Sequence, residues 1–137
     1  MQIILDTSAV IGLMDKKYKK HEYLKRIFTE KENVYILPST TIDEICYMLN
    51  SRFGSKIELI FLEEIIKTSF QLELLKDLDI IRIIEILKKY DTLNIGYVDA
   101  SIVAIAERLK INKILTLDRK HFEVAAPRGF DCFDILI

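Results

Sequence analysis

Short apolar runs alternating with amphipathic stretches constrain this chain more than any other feature. Ile3-Ile4-Leu5, Val34-Tyr35-Ile36-Leu37 and Lys113-Ile114-Leu115-Thr116-Leu117 read as strands, each followed by residues at helical spacing. Ala9 to Met14 forms a first helix, and Tyr23, Leu24, Ile27 and Phe28 share the face of a second. Pro38 closes the second strand. Ser39-Thr40-Thr41 then offer N-caps for a helix whose buried stripe is Ile42, Ile45, Cys46, Leu49 and Phe53. Gly54-Ser55 breaks it, and Lys56 to Lys67 forms another. Phe70, Leu72 and Leu74 alternate with polar residues as a strand does. Helices follow over Asp79–Tyr90 and Tyr97–Lys110, and Phe130–Ile137 holds a last strand. Such alternation requires right-handed crossovers and a mainly parallel sheet covered on both faces. The expected fold is α/β, one domain over residues 1–137.

Composition narrows the function classes. Lys and Arg number 20 against 21 Asp and Glu, a net charge of −1, so nucleic-acid contact has to come from a local patch. No stretch reaches the roughly 18 uninterrupted apolar residues of a membrane span. The N-terminus lacks the basic segment of a signal peptide. Cys46 and Cys132 form no metal or redox motif and read as lone thiols in a reducing cytoplasm. Walker A, GxGxxG, GxSxG and HExxH patterns are all missing.

What remains is a set of carboxylates. In an open parallel sheet, functional groups gather beyond the carboxyl ends of the strands. Asp6 closes the first strand, and Asp118 closes the run Ile114 to Leu117. Glu44 follows Ser39-Thr40-Thr41, and Asp99 follows Gly96-Tyr97-Val98 among apolar neighbours that leave little solvent-facing helix. Each has a structural explanation alone: Asp6 as an N-cap, Glu44 in a capping box begun by Thr41, Asp99 at a helix dipole, Asp118 capping a short turn. As a set on one sheet edge they need another. Two carboxylates 5 Å apart repel by roughly 3 kcal/mol at an effective dielectric of about 20. Such a cluster takes up protons or a cation. Oxygen donors without Cys or His favour Mg²⁺ or Mn²⁺, ions that activate water toward a phosphodiester.

Leu5-Asp6-Thr7-Ser8-Ala9-Val10, Glu44, Tyr97-Val98-Asp99-Ala100 and Leu115-Thr116-Leu117-Asp118-Arg119-Lys120-His121-Phe122, in this order over nearly the whole chain, resemble the PIN domain. The nearest group is the VapC-like ribonuclease toxins. The resemblance implies a three-layer α/β/α fold and an endoribonuclease that uses Mg²⁺ or Mn²⁺. Asp6 and Asp99 would be direct ligands, Glu44 and Asp118 direct or water-mediated ones, with Thr7, Ser8 and Thr116 orienting them from behind. It further implies an RNA substrate, a small antitoxin partner and a homodimer. Ile57, Leu59, Ile60, Phe61, Leu62, Ile65 and Ile66 wrap most of one helix in apolar side chains, which suits either a core or a second subunit.

Two other readings stand beside this one: a PIN-like RNA-binding module that cuts nothing, and an α/β hydrolase of small phosphate esters. The second lacks an Asp-x-Asp pair after the first strand. Lys16-Lys17-Tyr18-Lys19-Lys20 reads as a solvated basic face. Arg119 and Lys120 are better placed to meet phosphate. His121 reads as a structural residue beside Phe122, without a catalytic role.

Overall fold

Side chains alternate across a strand, and that alternation divides the interior in two. The computed structural model describes residues 1–68 and 70–137. Five strands, β1 (Gln2–Leu5), β2 (Val34–Pro38), β3 (Phe70–Glu73), β4 (Lys113–Leu115) and β5 (Asp134–Leu136), form one sheet in the order β3-β2-β1-β4-β5. Every pairing is parallel, with Ile4 opposite both Ile36 and Ile114. Those three isoleucines face one way, onto a core with Ile83, Ile86, Ile102 and Phe122. Ile3, Leu5, Tyr35, Leu37 and Leu115 face the other, onto Val10, Leu24, Ile45, Leu49 and Phe61.

Helices α1 (Thr7–Met14), α2 (His21–Phe28), α3 (Ser39–Phe53) and α4 (Ser55–Lys67) cover that second face. The first is covered by α5 (Asp77–Lys89), α6 (Tyr97–Leu109) and α7 (Arg119–Val124). The result is the expected three-layer α/β/α arrangement. Among the described residues, no helix is long and apolar enough to cross a membrane. Cys46 and Cys132 are free thiols.

Local differences have local causes. The expected N-caps Ser39, Thr40 and Thr41 lie inside α3, because Pro38 is extended (φ −62°, ψ 132°) and takes the cap position. The Thr41 hydroxyl donates back to the Pro38 carbonyl at 2.7 Å, which leaves no capping box for Glu44. β4 stops at Leu115, not Leu117: the Leu117 and Asp118 N–H groups donate to the Ser8 and Thr116 hydroxyls instead of to a neighbouring strand. Gly54 breaks the chain between α3 and α4 at φ +92°, where a Cβ would be strained. Phe53, expected in the buried stripe of α3, lies at its end and is exposed.

Candidate active site

Asp6 continues β1 for one residue, its N–H donating to the Leu115 carbonyl at 3.1 Å. Its carboxylate accepts from the Thr7 N–H at 2.8 Å, the Ser8 hydroxyl at 3.1 Å and the Thr116 hydroxyl at 2.7 Å. The hydroxyls have their own backbone donors: the Leu117 N–H reaches Ser8 Oγ at 2.9 Å and the Asp118 N–H reaches Thr116 Oγ1 at 3.0 Å. The two hydroxyl oxygens also lie 3.1 Å from each other, so the three side chains form one network. An N-cap needs only the first of these bonds. Asp6 is 5% exposed, and that burial raises its pKa, with the charge of Glu44 adding to the effect and the hydrogen bonds opposing it.

Asp99 is the third residue of α6, partly buried. Burial first, then the neighbouring charge of Asp6, push its carboxyl up to about 6; Asp118 and Glu44 add, and His121 opposes. Nδ1 of His121 stands 2.8 Å from Asp99 Oδ2 and 3.7 Å from Asp118 Oδ2. The nearer contact is a matter of distance, for Nδ1 makes no aligned hydrogen bond. Asp118 takes the N-cap position of α7 without a capping bond from its side chain. Glu44 sits in the second turn of α3, exposed and beyond reach of any capping role.

Asp6, Glu44, Asp99 and Asp118 line one open pocket of about 330 Å³. Thr7, Ser8, Met48 and Tyr97 share its wall, and among the described residues no Lys or Arg does. Thr116 lies just behind, bonded to Asp6. Among the described residues, no three acidic, His or Cys side chains are already drawn into a metal-binding cluster. Two buried polar atoms at this place lack partners, Thr7 Oγ1 and His121 Nδ1. Raised carboxyls, an orphaned hydroxyl and an oxygen-rich wall suit a hard cation and its waters. A second cavity of about 200 Å³, between α1, α2 and α4, is walled mainly by Val10, Phe28, Tyr35, Phe61 and Phe70, and it has no such charge cluster.

His121 was legible only as a residue three places after Asp118; the turn of α7 swings its ring onto Asp99. Tyr97 and Met48 gave no sign of lining a site. Lys16 to Lys20 follow the far end of α1, about 12 Å of helix from Asp6. Arg119 and Lys120 are exposed, and Arg119 is paired with Glu123 at 3.0 Å.

The PIN domain family model matches residues 3–127. Ribonuclease VapC26 of Mycobacterium tuberculosis is 28% identical over 134 residues, 98% of this chain and 99% of that protein. The crystal structure of Mycobacterium tuberculosis VapC20, described as a Sarcin-Ricin loop cleaving toxin, superimposes with a TM-score of 0.79 at 22% identity. That match covers 87% of this chain and 92% of VapC20. VapBC2 from Rickettsia felis, solved bound to a promoter DNA fragment, gives 0.72 at 13% identity over the full length of both chains. With the family match spanning all four pocket acids and the whole of β2, β3 and β4, the chain belongs to the PIN domain family.

Proposed function

We propose that this protein is a divalent-metal-dependent endoribonuclease, the toxin of a VapBC-type toxin–antitoxin pair. The observation that carries the reading is the meeting of Asp6, Glu44, Asp99 and Asp118 around one pocket. Full-length similarity to a ribonuclease VapC supports nuclease chemistry. Asp6 and Asp99 would hold Mg²⁺ or Mn²⁺ directly, with Glu44 and Asp118 direct or through water. The bound ion supplies stabilisation of charge on the phosphate oxygens and lowers the pKa of the attacking water.

The chain's own residues do the rest. Thr7 N–H, Ser8 and Thr116 fix the Asp6 carboxylate in one orientation, so that little reorganisation is left for the reaction. Asp99 and Glu44 approach from separate helices on opposite faces of the sheet, which gives the site its width. Arg119 and Lys120, beyond Asp118, are available to the phosphate backbone. A small antitoxin is the expected partner, in keeping with the fold shared with VapBC2. Residues Leu59, Leu62 and Ile66 form an exposed apolar face on α4, which supports a homodimer. The two free thiols fit work in the cytoplasm.

Incubating RNA with the protein and Mn²⁺, beside Asp99→Asn, tests the reading. Cleavage by the wild type and loss of at least about 100-fold in the variant are expected. Binding without cleavage would leave an RNA-binding module, and cleavage surviving the substitution would point to a contaminant.

A further inference from the structure

Four carboxylates and, among the described residues, no Lys or Arg line this pocket, which makes it a poor attractor of a polyanion. The net charge of −1 supplies no general attraction, and the Lys16–Lys20 run lies at the far end of α1. Arg119 and Lys120 stand outside the lining, beyond Asp118, so grip on the RNA inside the pocket needs a source other than charge.

The lining holds one. Tyr97 opens α6 two residues before Asp99 and is 51% exposed. It packs into neither hydrophobic core. Its backbone is held by the first turn of the helix, where the Ala100 N–H donates to the Gly96 carbonyl at 3.0 Å. Met48, one turn beyond Glu44 on α3, is anchored against the core and also lines the pocket. An aromatic ring left open on a rigid helix start, with a thioether sharing its pocket, matches what an unstacked base requires.

We propose, on the ribonuclease reading of this pocket, that Tyr97 with Met48 forms a stacking wall for a nucleobase next to the scissile phosphate. Stacking acts through the face of any base, so it holds the strand without demanding one sequence. Tyr97 is thus a substrate-binding residue: it grips the strand while the acids do the chemistry.

The test is steady-state cleavage of a single-stranded RNA oligonucleotide by the Mn²⁺-loaded wild type, Tyr97→Phe and Tyr97→Leu. Oligonucleotides lacking the base on either side of the cut bond complete the set, and thermal melting checks that each variant is folded. Tyr97→Leu should raise KM about tenfold with kcat within about twofold, while Tyr97→Phe keeps wild-type values. One base-free position should raise the wild-type KM by a similar factor and add nothing to Tyr97→Leu. An unchanged KM in Tyr97→Leu, or losses that multiply with base removal, overturns the stacking wall alone. A fall in kcat at constant KM overturns it too, making Tyr97 a support for Asp99. A wild type that leaves every RNA intact overturns the ribonuclease reading along with it.

Discussion

Asp6 and Asp99 are ionisable groups kept where water shields them poorly, and each makes the other's charge more costly. The Asp99 carboxyl, pushed up to about 6, holds its proton in the folded chain above the pH at which the unfolded chain has lost it. The folded state then binds more protons than the unfolded state, so metal-free stability falls as pH rises. This contribution is fully present below about pH 4 and lost above pH 6. Melting curves of the chelated wild type should show Tm dropping by about 3–6 °C across that window beyond the drop in Asp99→Asn. At pH 7.5, Mn²⁺ should restore Tm in the wild type and do less for the variant, as binding to the folded state alone requires. Equal responses of the two proteins to the ion would remove Asp99 from the ligand set.

Between elements, the join that most depends on charge lies far from this pocket. Arg108 on α6 grips Asp79 on α5 at 2.9 and 3.1 Å, Glu73 on β3 at 2.8 Å and the Leu74 carbonyl at 3.2 Å. Arg82 holds Glu107 across the same helix pair at 2.8 and 3.0 Å. Asp79 is 2% exposed, so removing it strands a guanidinium that loses its best partner. Asp79→Ala should cost about 3 kcal/mol in urea unfolding with an unchanged m value. RNA cleavage by the folded fraction should stay at the wild-type rate. A larger loss of activity than of stability would tie this network to the site.

For the assembled fold, α4 presents an exposed apolar stripe. Phe61 points inward at 1% exposed, whereas Leu59, Leu62 and Ile66 point outward, Ile66 at 88%. The spacing i, i+3, i+7 makes them one stripe. Light scattering should give a particle of twice the 16.0 kDa chain mass, and Leu62→Lys with Ile66→Lys should halve it. A 16.0 kDa wild-type particle at micromolar concentration would leave the stripe without a second copy.

The alternation of strands and helices was legible in the chain because it is written in local periodicity: Ile3-Ile4-Leu5 and the Ala9–Met14 stripe need no distant neighbour to be recognised. The four acids were legible as well, since a carboxylate just past a strand or early in a helix points to one edge of any parallel sheet. Tertiary structure alone decided the rest. Whether Thr41 or Pro38 caps α3 turned on where β2 delivers the chain. That His121 reaches Asp99, and that Tyr97 and Met48 share a pocket with Glu44, depends on how α3, α6 and α7 pack. Those distances are set by the crossovers and two cores acting together, and no window of neighbouring residues contains them.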